Sequence, residues 1–207
     1  MNAKSLAGAM ASVSRLMTEK RDYLIELDQQ NGDGDLGISM SAGFKAVSDY
    51  LAAAEEKDLG KLFMKSSGVF NEAAPSSLGT ILSIGFMGIA KALKGKEEAD
   101  LKETAAALEA GIANIMEKAK SKPGEKTVLD ALCPAVQALK DAAALSDAEG
   151  SGAWAKAAEA AAAGCESTRA MKSVHGRAAY YGEKSIGILD GGSAAGKLIF
   201  EGISAFF

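Results

Sequence analysis

Helical periodicity runs along almost the whole of this 207-residue chain, and it constrains the fold more than any other feature. Leu6, Met10, Val13 and Met17 step by four, three and four residues, and Met40, Phe44, Val47 and Leu51 repeat that spacing. Leu101, Leu108, Ile112, Ile115 and Ala119 follow with one polar gap, then Leu129, Leu132, Val136 and Leu139. Trp154, Ala158, Ala161 and Cys165 form a stripe of small residues, and Leu198, Ile199, Gly202, Ile203 and Phe206 complete the series. Residues three and four apart lie above one another on a helix, so each set marks one buried face. No β-branched alternation of useful length competes with them. The breaks are sharp: Asn31 to Gly34, Leu59-Gly60, Asn71 to Pro75, Lys94 to Ala99, Lys122-Pro123-Gly124, Asp147 to Gly152, and the long stretch Thr168 to Gly192. About eight helices joined mostly by short connectors predict an all-α, up-and-down antiparallel arrangement. No domain boundary is visible, so residues 1–207 read as a single domain.

Composition narrows the function. The chain is 48% hydrophobic and 24% charged, ordinary for a globule, which excludes intrinsic disorder. Its net charge of −4 leaves no basic surplus to neutralise a nucleic-acid backbone, so DNA and RNA are not expected partners. Met1 to Arg15 lacks the basic start and long apolar run of a secretion signal, and a cytoplasmic location is expected. The uncharged run from Ala73 to Ala90 is diluted by Pro75, Ser76, Ser77, Gly79, Thr80 and Ser83, so it reads as a buried helix and not a membrane span. Cys133 and Cys165 lie on alanine-rich helical stretches without a paired motif and read as small buried apolar groups.

The most informative segment is Leu27 to Gly37, in which three aspartates, Asp28, Asp33 and Asp35, are crowded with three glycines between two helices. Asp28 falls in the last turn of a helix, where the macrodipole disfavours an anion, and Asp33 and Asp35 repel each other across one residue. No neighbour in the sequence compensates them. Hard carboxylate oxygens suit Mg²⁺ or Ca²⁺, and Mg²⁺ completes its octahedron with water and phosphate oxygens. A calcium loop starting at Asn31 fails, because its sixth position is Leu36 and its twelfth is Ala42. The bland alternative is a solvated turn with capping aspartates.

Two helix starts, Gly37-Ile38-Ser39 and Pro75-Ser76-Ser77-Leu78-Gly79-Thr80, offer free amides and hydroxyls that can bind phosphate or merely cap the helix. Arg177, in the long loop, can hold a phosphate bidentately, and Asp190-Gly191-Gly192 reads as a tight turn before the last helix. His175 is the sole histidine and is expected to be an exposed side chain, so Ser-His-Asp hydrolysis and His-rich zinc sites are not expected.

The joint pattern resembles a known family. Leu27-Asp28, Gly32-Asp33-Gly34-Asp35-x-Gly37, Gly79-Thr80, Pro123-Gly124-Glu125-Lys126-Thr127, and Gly176-Arg177-Ala178 through Gly182-Glu183-Lys184-Ser185-Ile186-Gly187 stand in the order of the nucleotide-binding L subunits of dihydroxyacetone kinases. The resemblance implies an eight-helix barrel that holds ADP or ATP, with two Mg²⁺ bridging phosphates to Asp28, Asp33 and Asp35. It implies phosphate contacts at Leu36, Gly37, Ile38 and Ser39 and at Ser76, Ser77 and Thr80. It also implies a nucleotide wall at Ala73, Ala74, Ala119 and Val128, completed by Arg177, Asp190, Gly191 and Gly192. The implied activity is phosphoryl transfer to dihydroxyacetone or another small ketose held on a separate K-type subunit. The implied donor is either ATP or a bound ADP rephosphorylated by a phosphohistidine M-type subunit of the phosphotransferase system. A separate L chain favours the second route, whereas Gly34 between the last two aspartates resembles ATP-using relatives and Leu36 replaces a histidine common in the phosphotransferase type. A regulatory nucleotide-binding module and a plain helical scaffold are the other readings open at this point.

Overall fold

The computed structural model describes residues 1–145 and 150–207, and every element it shows there beyond one isolated bridge, Asn2 with Glu98, is helical. Helices α1 (Ala3–Glu19) and α2 (Arg21–Asp28) are followed by α3 (Leu36–Ala53), α4 (Leu59–Ala73), α5 (Ser77–Ala92), α6 (Leu101–Ala119), α7 (Leu129–Ala143), α8 (Gly150–Ser167) and α9 (Gly191–Ser204). Their starts are set by local chemistry. The Asn2, Asp58, Ser76, Asp100 and Asp190 side chains each accept a backbone N–H of the first turn, which satisfies donors that have no partner within the helix. Asn2 with Ser5 and Asp100 with Glu103 form reciprocal capping boxes.

The helices form a closed ring. α1 packs on α3, each helix from α3 onward packs on its successor, and α9 returns to α1. The ring therefore has eight staves, as the periodicity predicts, and the short α2 is the ninth helix among the described residues. It exists because the first predicted helix breaks at Lys20, whose dihedrals (φ −97°, ψ 9°) leave the α region before Arg21 restarts the turn. The apolar series cannot show this break, since Leu24 and Leu27 continue the buried face beyond Met17. α2 bends inward to pack on α3 and α9, which carries Asp28 toward the mouth of the ring.

Inside, Phe44, Phe70 and Phe86 pack edge to face, with centroids 4.9 Å apart for the first pair and 5.7 Å for the second. Phe44 and Phe70 are essentially fully buried, with Met17, Leu24, Met40, Leu59 and Leu62 among the large side chains around them. Cys165 is buried and Cys133 half-buried, and both are free thiols. Burial pushes the Cys133 thiol up to about 11, the behaviour of an inert core group. Among the described residues no helix is long and apolar enough to cross a membrane. The turn predicted over 147–152 falls partly outside the described residues.

Truncating the central ring leaves a cavity that rigid staves cannot collapse. Phe70→Ala should cost about 3–5 kcal/mol of unfolding free energy. A urea titration should show a lower midpoint with an unchanged slope, and a wild-type midpoint would mean that the aromatic cluster does not carry the core.

Candidate functional site

Alternate connectors of an up-and-down ring emerge at the same end. Those following α2, α4, α6 and α8 come together there around an open cleft of about 780 Å³, within the size range of small-molecule and cofactor sites. All four contribute to its wall, from Asp28 and the acidic turn, through Pro75 to Ile81 and Lys126 to Val128, to the loop from His175 to Ala178 and the start of α9.

The acidic turn is built around Asp28. As the last residue of α2, its carbonyl accepts the amides of Gly32 (2.6 Å) and Asn31 (3.2 Å), and its carboxylate accepts the amide of Gly34 at 2.7 Å. Gly34 has φ +80°, a left-handed conformation that glycine takes without steric cost. This fold of the chain turns Asp33 and Asp35 back toward Asp28, so that one carboxylate oxygen from each lies within 4.8 Å of the others. Burial, then Asp33 and Asp28, raise the pKa of Asp35, and Arg177 acts against them. Compensation does come from distant sequence: a guanidinium nitrogen of Arg177 lies 2.8 Å from a carboxylate oxygen of Asp33, and both side chains are substantially exposed. Asp35 also stands at the N-terminus of α3, whose macrodipole favours an anion. The donor set, three carboxylates converging at the mouth of a polar cleft, fits a hard divalent cation whose other ligands come from a bound molecule.

Of the other expected site residues, Leu36, Ser76, Ser77, Thr80, Val128, Arg177, Asp190, Gly191 and Gly192 line the cleft. Ser76 caps α5 by accepting the amide of Gly79 at 3.1 Å, and the Thr80 hydroxyl lies 3.4 Å from the Asn71 side-chain oxygen. Gly191 and Gly192 form the first turn of α9 and not a separate tight turn, and a β-carbon on Gly192 would sit 3.3 Å from the amide nitrogen of Val128. Six expected residues stand outside the lining. Gly37 is buried against the Arg21 carbonyl, Ile38 is exposed, and buried Ser39 donates its hydroxyl to the Leu36 carbonyl at 3.2 Å. Ala73 and Ala119 end α4 and α6, and Ala74 is fully buried as the cap of α4.

The sequence reads His175 as a plain exposed side chain; in the fold it is half-buried, with its Nε2 2.6 Å from a Glu125 carboxylate oxygen on the wall of the cleft. Asn31, Lys126 and Thr127 also form part of the wall, although no local signal in the sequence marks them as wall residues. The long stretch after α8 is not irregular throughout: it holds 3-10 turns over Thr168–Ala170 and Arg177–Ser185.

Asp190 is the most perturbed acid. Its carboxylate caps α9 by accepting the Ser193 amide at 2.6 Å, while burial, helped by Asp130 and Asp28, pushes its pKa up to about 7 against the pull of that amide and Lys126. An unfolded aspartate titrates near 4. Between those values the folded chain holds a proton that the unfolded chain has lost, so this group makes metal-free stability fall as pH rises from about 4 to about 7. Asp190→Asn, which keeps an oxygen for the Ser193 amide, should flatten that slope. Thermal unfolding in chelator across the range checks it, and an unchanged slope contradicts the assignment.

Comparison with known proteins fits this geometry. Residues 30–205 match the model of the DAK2 domain. The ADP-binding subunit DhaL of a PEP-dependent dihydroxyacetone kinase from Listeria innocua is 32% identical over 182 residues, covering 88% of this chain and 85% of its own. The Escherichia coli subunit of the same description is 30% identical over 182 residues, with 87% and 85% covered. The crystal structure of the dihydroxyacetone kinase from C. freundii in complex with AMP-PNP and Mg²⁺ superposes with a TM-score of 0.76 at 25% identity. That match covers 99% of this chain and 34% of the larger enzyme. The chain belongs to the DAK2-domain family.

Proposed function

We propose that the chain is the nucleotide-binding subunit of a kinase for dihydroxyacetone or a related small ketose, acting as a single domain over residues 1–207. The observation that carries this reading is the convergence of three carboxylates within 4.8 Å at the mouth of the cleft, with the starts of α3, α5 and α9 around them. Relatives of matching length described as ADP-binding subunits support it, as does the likeness to a kinase crystallised with AMP-PNP and Mg²⁺.

In this reading Asp28, Asp33 and Asp35 hold two Mg²⁺ ions. When bound, the metals neutralise phosphate oxygens and the charge on the phosphoryl group in transfer. The amides that open α3, at Leu36, Gly37 and Ile38, and the groups of Ser76, Ser77 and Thr80 receive phosphates at helix N-termini, while Ser39, whose amide donates to the Asp35 carbonyl at 2.9 Å, closes the turn that presents them. Arg177, freed from Asp33, adds a bidentate cation. Val128, Asp190, Gly191 and Gly192 shape the nucleotide wall, with Ala73, Ala74 and Ala119 at the helix ends that support it. No side chain of this chain is assigned as general acid or base. The ketose sits on a separate K-type subunit, and its hydroxyl oxygen forms the new P–O bond as the bond to the donor breaks, its proton passing to a base on that subunit.

The phosphoryl source separates two versions. In the first, ADP stays in the cleft and is recharged by a phosphohistidine M-type subunit of the phosphotransferase system, as the PEP-dependent relatives favour. In the second, ATP enters and ADP leaves in each cycle. Either version assigns the chain to the cytoplasm, where these donors are found.

Asp33→Ala and Asp35→Ala should each abolish Mg-ADP binding in calorimetry while circular dichroism stays helical. Binding that persists unchanged in both variants refutes the metal assignment. Saturating Mg-ADP, at a hundred times its Kd, should stabilise the wild type by about 3 kcal/mol, and chelator should remove the effect. Native mass spectrometry after gentle purification distinguishes the donor routes: retained ADP supports the first, an empty chain the second.

A further inference from the structure

The segment between α8 and α9 carries Arg177 and leads into Asp190, yet much of it lies outside the core: Tyr180 is 92% exposed, and Val174, Tyr181 and Ile186 are exposed as well. One buried cation reaches beneath it. Lys126 is 3% exposed, and its Nζ donates to the carbonyls of Ser185 (2.6 Å), Ile188 (2.6 Å) and Met171 (3.2 Å). An ammonium has three N–H donors and no acceptor, so these carbonyls use its full capacity. They come from both limbs of the segment, Met171 before Arg177 and Ser185 and Ile188 after it, and one side chain thereby ties the two limbs together.

The turn that delivers this side chain is shaped for the task. Lys126 has φ +61°, a left-handed conformation that a lysine keeps only where its surroundings over-determine it. Those surroundings are the buried Asp130 carboxylate, which accepts the amides of Gly124 at 2.6 Å and Thr127 at 2.7 Å on either side. The preceding residue, Glu125, grips the same segment through His175 at 2.6 Å.

We infer that Lys126 is a positioning residue of the cleft: its ammonium, seated among three loop carbonyls, holds the 171–188 segment in the form that presents Arg177 to the bound phosphates and leads the chain into Asp190 on the nucleotide wall. The role toward phosphate rests on the nucleotide reading above, whereas the clamp itself does not.

Lys126→Gly tests it, because glycine suits the positive φ and n-butylammonium is the missing side chain as a free molecule. The variant should stay helical, expose Lys172, Arg177 and Lys184 to much faster tryptic cleavage, and bind Mg-ADP about 10–100-fold more weakly, the usual effect of losing a group that orients a ligand-binding residue. Millimolar n-butylammonium should restore both loop protection and affinity. Tetramethylammonium, with equal charge and no N–H donor, should restore neither. Wild-type protection and affinity in the variant, or losses that n-butylammonium leaves in place, overturn the inference. If Lys126→Gly does not fold, Lys126→Met, which keeps the apolar stem and removes the donors, should show the same faster cleavage, and wild-type protection in it overturns the inference. A wild type that binds no Mg-ADP refutes the nucleotide reading alone, since the cleavage comparison still reports on the clamp.

Discussion

Mutual repulsion among carboxylates at one end of the ring is the constraint around which the rest is arranged. Asp28, Asp33 and Asp35 meet at the mouth of the cleft, and half-buried Asp190 lies close enough to Asp28 and Asp130 for their charges to raise its pKa. Left alone, such a set favours opening of the turn. The chain opposes this with local dipoles, the Gly34 amide on Asp28 and the Ser193 amide on Asp190, and with one exposed cation, Arg177 on Asp33. An exposed ion pair of that kind contributes little to stability in water. The compensation is thus sufficient to fold the turn and weak enough to be exchanged for a stronger cation.

That balance explains why the staves must be rigid. Carboxylates held near one another need backbone that does not relax, and the edge-to-face phenylalanines and fully buried leucines beneath supply it. α2 transmits the rigidity to the site: by breaking from α1 at Lys20 it leans on α3 and α9, and its final residue is Asp28.

Much of this was legible in the sequence, and the rest was hidden for definite reasons. The staves show in the spacing of Leu6 to Met17 or Leu129 to Leu139, because a helix that buries one face must repeat every three or four residues. The acidic turn shows because charges crowded in sequence stay crowded in space. The break at Lys20 does not show, since the buried face continues past it through Leu24 and Leu27. Partners across long separations do not show either: the pairing of Arg177 with Asp33 joins residues far apart in the chain, as does that of His175 with Glu125, so neither could be read locally. Gly37, Ile38 and Ser39 illustrate a further limit, for periodicity and motif place residues on a helix start without saying which of them faces the cleft; only Leu36 of that turn does.

The closed ring has an evolutionary corollary. Stave packing depends on helix faces, while the cleft is assembled from the connectors of a single end. Mutations in those connectors can therefore retune which molecule is accepted without disturbing the scaffold, and insertions in the connectors at the far end are invisible to the chemistry. A lineage built on this plan can change donor or acceptor one loop at a time.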